Sequence, residues 1–310
     1  MPLLRINACG DQPQMHNSPR DVATMLRMHR GDGPVIVMIH GYKYRPNLPD
    51  HCPHLHILAL HPRDMPWRAP SWPRQLGFGT GHVGEGLGIA FGWDSRGALW
   101  SAERRTRPAG RALAQVLRQL HDQQPGRPVH LIAHSMGIAL ALEALHHLPA
   151  GAVQRIVSMT GAAYATRALE ALGTPAGRAC DFINVTSREN DLFEFLYERL
   201  IAPPARGERT LGFGLSAHNA VTLQLDCDDT LALLARRGAP VAPPQRRICH
   251  WSSYTRQGVL RFYNDLLRQP ETWALDRLRR DLPDAGAPRW SRLIAPPQGG
   301  LALPMTQNPT

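Results

Sequence analysis

Lysine is all but missing from this chain. Lys43 is the only one, although lysine and arginine together number 35. The net charge of +10 is therefore carried by arginine. The arginines are spread in singles and in pairs such as Arg104-Arg105 and Arg279-Arg280, with no basic block interleaved with aromatics. Nucleic-acid binding needs a concentrated basic face, so no nucleic-acid partner is expected. No run of about 18 apolar residues occurs, so no helical membrane span is expected. The first residues, Met1-Pro2-Leu3-Leu4-Arg5-Ile6, lack the charged segment and apolar core of a secretory signal. The five cysteines (Cys9, Cys52, Cys180, Cys227, Cys249) form no CxxC pair. An odd, dispersed set fits reduced thiols and a cytoplasmic location.

What is present is enough apolar residue, 43% of 310, for one large core. Apolar runs alternate with helical patterns. Strands are predicted at 35–39, 56–60, 88–93, 129–133, 153–159 and 182–186. Helices are predicted at 111–121, 138–148, 165–172, 192–200, from Asp229-Thr230 through Arg236, and at 258–267. That alternation predicts an α/β class with a mostly parallel sheet flanked by helices, in a single domain over 1–282. Two stretches resist it. Residues 44–86 are rich in Pro, Trp, His and Gly and read as a long loop. Residues 283–310 form a Pro/Gly-rich tail expected to wrap the surface or fray.

The segment Val129-His130-Leu131-Ile132-Ala133-His134-Ser135-Met136-Gly137 is a short apolar run ending in a small-residue turn, with a helix-forming run directly after it. A serine at such an apex stands near the free amides that open the helix, which can hold an oxyanion. Serine at neutral pH needs a base, a group to orient that base, and oxyanion donors. His40-Gly41-Tyr42 closes the strand 35–39 and offers the Tyr42 amide as a donor beside that of Met136. Asp191, a few residues past the strand 182–186, is the expected orienting acid, with Glu189 as rival. His250, ahead of the late helix, is the expected base, with His218 as rival.

These pieces resemble the α/β-hydrolase superfamily over about 34–267, on His40-Gly41-Tyr42, on Ala133-His134-Ser135-Met136-Gly137, and on Asp191 and His250 in that chain order. The usual elbow is Gly-x-Ser-x-Gly, and here Ala133 takes the first position. The run Ile89-Ala90-Phe91-Gly92-Trp93-Asp94-Ser95 before a long helix is similar to that of a poorly characterised bacterial branch of serine esterases and lipases. The resemblance implies a serine hydrolase acting on a small-molecule carboxylic ester or thioester, with no cofactor, no metal and no large cap between Met159 and Phe182. An acyltransferase using the same residues, or a non-catalytic binding protein of that fold, are the alternatives.

Other motifs carry less. Gly79-Thr80-Gly81-His82-Val83-Gly84 has dinucleotide-loop spacing but precedes a strand instead of following one. Asp50-His51-Cys52, His54 and His56 have metal-ligand types without a ligand spacing. Trp67, Trp72 and Trp251 are candidates for an acyl pocket, and Lys43 for contact with an anionic substrate.

Overall fold

The computed structural model describes residues 2–29, 31–63, 70–283 and 286–294. Its sheet is built from β1 (Leu3–Cys9), β2 (Gln12–Met15), β3 (Val35–Ile39), β4 (Leu87–Gly92), β5 (Val129–His134), β6 (Arg155–Met159), β7 (Asp181–Thr186) and β8 (Ala220–Gln224). The eight strands run in the order β2-β1-β4-β3-β5-β6-β7-β8. The β1–β2 pair is antiparallel and every other neighbouring pair is parallel.

Strands buried on both faces need apolar residues at every position, and β3, with Val35-Ile36-Val37-Met38-Ile39, supplies them. Alternate side chains go to opposite faces. Val35, Val37 and Ile39 join one core, and Ile36 and Met38 join the other. The first core is closed by α1 (Val22–Met28), α3 (Leu99–Gln123), α4 (Gly137–Leu145), α5 (Ala165–Leu172) and α6 (Pro175–Arg178). The second is closed by α2 (Trp72–Gln75), α8 (Asp228–Arg236), α9 (Ser252–Thr255), α10 (Val259–Arg268) and α11 (Leu275–Asp281). Helix α7 (Asp191–Leu200) sits past the end of β7, and α12 (Ser291–Ile294) lies in the C-terminal segment. Among the described residues no large cap interrupts this arrangement, and no helix is long and apolar enough to cross a membrane.

Sequence and structure part in a few places. Residues 56–60 form no strand. Pro53–Leu55 is a 3-10 turn, and His56 N and Leu58 N donate to Pro53 O while Ala59 N donates to His56 O. Those amides are satisfied locally, and Ile57 and Leu58 are buried as core residues without joining a ladder. The loop 44–86 also contains α2. Strands β1, β2 and β8 carry too many polar residues to stand out as runs. Of the tail, residues 283 and 286–294 are described, and Arg289 and Trp290 bond to α7; residues 284–285 and 295–310, and Trp67, lie outside the described residues.

This topology positions the site. The chain leaves β3 toward β4 on one side and returns to β5 on the other. Such a reversal, here at the carboxyl ends of β3 and β5, is where ligands bind in open α/β sheets.

Candidate active site

Ser135 stands directly after β5 with φ +52, a left-handed conformation that is unusual for a non-glycine residue. It is held there: Ser135 N donates to Met159 O at 3.1 Å, and Ser135 O accepts from Ile138 N at 3.2 Å and Ala162 N at 3.0 Å. Ala133, the departure from the usual glycine, is still in strand pairing, opposite Ile39 in β3 and Ser158 in β6. Extended backbone does not require glycine, so a small side chain suffices there. Gly137 does need its hydrogen. A Cβ there would sit 2.6 Å from His40 O and 2.9 Å from Ile39 O, because the start of α4 packs on the end of β3.

The loop after β3 lies against the serine, since a Cβ on Gly41 would come within 2.8 Å of Ser135 Cβ. Its orientation follows from hydrogen bonds. Trp93 N–H donates to His40 Nε2 at 3.1 Å, so the proton of that ring is on Nδ1, which donates to Gly41 O at 2.8 Å. Ser95 Oγ lies 2.9 Å from the same carbonyl and 2.8 Å from Tyr44 O. A trans peptide points its N–H opposite to its C=O. With Gly41 O held by His40 and Ser95, the Tyr42 N–H faces away from them, and among the described residues it has no hydrogen-bond acceptor. Met136 N–H, at the opening of α4, has none either. The Tyr42 hydroxyl ties the loop to Gly97 O, and Trp93 Nε1 donates to His40 O at 2.9 Å. Burial holds the His40 pKa down at about 3, so the ring stays neutral.

His250 reaches this point from the loop before α9. Its Nε2 is 3.0 Å from Ser135 Oγ. Its Nδ1 is 2.7 Å from Asn190 Oδ1. An amide oxygen only accepts, so Nδ1 carries the proton and Nε2 presents a lone pair to the serine hydroxyl. The loop is fixed by Cys249 N donating to Glu189 O at 2.8 Å, and by His134 Nε2 donating to His250 O at 3.1 Å. Phe193 stacks on the imidazole with centroids 4.7 Å apart. Burial, then the neighbouring His134, then Lys43 hold the His250 pKa well below its ordinary value. The His134 pKa is lowered by burial to about 4.

The residue on His250 is thus Asn190, not Asp191, and this corrects the sequence expectation. Asp191 opens α7 with its carboxylate turned away, 3.1 Å from Arg188 Nη1 and 2.6 Å from Trp290 N. The rival Glu189 is buried in an ion pair with Arg256. Each candidate carboxylate has been taken by an arginine, which leaves the neutral amide between them to meet the imidazole. Arg188, three residues before Asp191, is the sequence signal for that competition. The rival base His218 precedes β8 and so lies at the amino ends of the parallel strands, the far end from Ser135, where its carbonyl accepts from Arg279 at 2.6 Å.

The remaining motifs resolve into structure. Thr80 N and Gly81 N donate to Glu85 Oε2 at 3.0 and 3.3 Å, so the Gly79–Gly84 loop wraps a carboxylate of its own chain. His54 Nε2 meets Asn7 Oδ1 at 2.7 Å and His56 Nδ1 meets the Tyr44 hydroxyl at 2.7 Å. Trp72 is a core residue packed edge-on against Tyr254, and Trp251 stands exposed beside His250. Lys43 is exposed next to Tyr42.

Residues 18–163 match a family described as "Alpha/beta hydrolase of unknown function (DUF900)". The matched stretch holds the His40-Gly41-Tyr42 loop and the Ser135 turn and ends before Asn190 and His250. No curated protein matches the chain.

Proposed function

Starting from a chain with the α/β-hydrolase fold, we propose that it is a serine hydrolase that cleaves a small-molecule carboxylic ester or thioester through an acyl-enzyme on Ser135. The observation that carries this reading is the 3.0 Å approach of His250 Nε2 to Ser135 Oγ, at a serine in a left-handed turn between strand and helix. The bare Nε2 takes the hydroxyl proton as Oγ attacks the carbonyl carbon. The carbonyl oxygen, now negative, is held by the N–H groups of Tyr42 and Met136. The C–O or C–S bond then breaks, and the leaving group takes the proton back from Nε2. Water, deprotonated by the same nitrogen, releases the acid and restores Ser135.

Asn190 is the orienting residue in this scheme. Its oxygen fixes the tautomer in which Nε2 is unprotonated, and it adds no negative charge beside the imidazolium that forms. The five unpaired cysteines favour a reducing, cytoplasmic setting. Turnover of nitrophenyl esters and acyl-CoA thioesters tests the proposal. Wild-type protein should hydrolyse at least one class with an initial burst, and Ser135→Ala should lose it. Full turnover by Ser135→Ala would refute it.

A further inference from the structure

An ordinary surface helix turns its apolar stripe inward and its charges out; helix α7 buries Tyr197 but also buries carboxylates and exposes leucines. Asp191 and Glu194 are buried, Asp191 on Arg188 and Glu194 on Thr210 Oγ1 and the Gly212 amide at 2.6 Å each. Glu198 pairs with Arg289. Two leucines face out: Leu196 is 44% exposed and Leu200 48%. These two, with the part-exposed Phe193, recur at three- and four-residue spacing and share one arc of the helix.

That arc runs onto the loop of the candidate base. Phe193 stacks on His250 and lies 6.2 Å from Trp251, which is 50% exposed, with Ile248 exposed three residues earlier. Exposed cations flank it: Lys43 beside Tyr42, Arg199 on α7, and Arg246 and Arg247 directly before Ile248. Asp191 and Glu194 of the same helix are buried and Glu198 is paired with Arg289, so they do little to offset this charge. A solvent-facing helical arc is convex and fits a flat interface better than it fits one small ligand. An apolar centre containing a tryptophan, ringed by arginine and lysine, has the chemistry of a surface that meets anionic lipid.

We propose that this face docks on an anionic lipid surface and presents esters held in that surface to Ser135. The second clause rests on the serine-hydrolase reading; the docking does not. The test is cosedimentation of the full-length protein, wild type and Ser135→Ala, with vesicles of phosphatidylcholine alone or mixed with phosphatidylglycerol. Both proteins should pellet with the mixed vesicles, and less so as salt rises. Leu196→Ser/Leu200→Ser should weaken that binding about tenfold. Arg246→Glu/Arg247→Glu should weaken it by about tenfold or more. Both double variants should hydrolyse soluble nitrophenyl acetate like wild type. Unchanged binding by both double variants, or no sedimentation of wild type with mixed vesicles, overturns the proposal. So does a wild-type dimer that Leu196→Ser/Leu200→Ser dissociates, since a second copy then covers the face. Vesicle binding without ester turnover by wild type keeps the docking and removes only the delivered ester.

Discussion

Asn190 and His250 meet through an Oδ1 to Nδ1 contact of 2.7 Å, while the acid one residue later, Asp191, faces Arg188 and Trp290. A neutral amide on a buried imidazole sets the protonation behaviour of the site. His250 must be unprotonated to act as base, and its pKa is depressed, so it stays competent as pH falls. The acid limb of kcat/KM is therefore expected below pH about 6.5, the ordinary histidine value. Asn190→Asp places a carboxylate on the ring, favours the imidazolium, and should move that limb up by about one to three pH units. Asn190→Leu removes the acceptor and should lower kcat by about a hundredfold. Steady-state pH profiles of the three proteins check this.

Asp191→Asn separates the two neighbouring residues. Its carboxylate serves Arg188 and the Trp290 amide, so the substitution should cost about 1–3 kcal/mol of stability and leave kcat within a fewfold of wild type. Thermal melts and ester kinetics read the two effects apart. A collapse of kcat in a folded variant would return the orienting role to Asp191.

The loop His40–Tyr42 offers a third test. Ser95 Oγ lies 2.9 Å from Gly41 O, and the orientation of the Tyr42 amide depends on that carbonyl. Ser95→Ala should lower kcat about tenfold with KM little changed, less than the loss of a donor outright. Gly41→Ala drives a methyl to 2.8 Å from Ser135 Cβ. It should abolish turnover and destabilise the protein by about 1–3 kcal/mol.

Buried histidines make the fold acid-sensitive. His40, His130 and His134 are held neutral with pKa values near 3, 4 and 4, chiefly by burial. Unfolded, each titrates near 6.5, so the unfolded chain binds more protons between that pH and the folded values. Their contribution is complete above pH about 6.5 and is lost as pH falls through about 4, by about 1.4 kcal/mol per pH unit for each histidine. Denaturant unfolding midpoints from pH 7 down to about 4 should fall accordingly. A flat profile would contradict the neutral, buried rings.

The central strands and the serine turn were legible because burial on both faces demands unbroken apolar runs, and 35–39 and 129–133 have them. The edge strands β2 and β8 need no such run, and β1 beside β2 is only partly buried, so none of the three stood out. The apolar run 56–60 misled because periodicity cannot tell a buried turn from a buried strand when the backbone is satisfied locally by Pro53 and His56. That Ser135 and His250 would meet could be anticipated because each sits at a fixed place after a strand or before a helix. The partner of His250 was misplaced by one residue, since which side chain turns inward depends on Arg188, a nearby signal that strand-end position does not weigh, and on Arg256, a distant one that no local pattern encodes. The supporting roles of His40 and Ser95 were hidden for the same reason: their partners lie more than 50 residues away along the chain.

Labelling with a fluorophosphonate, followed by peptide mass spectrometry, reads the pairing of Ser135 with His250 at the serine itself. One adduct is expected, on Ser135, absent in Ser135→Ala and strongly slowed in His250→Ala. An active protein that takes no label on Ser135, or takes it equally fast without His250, would contradict it.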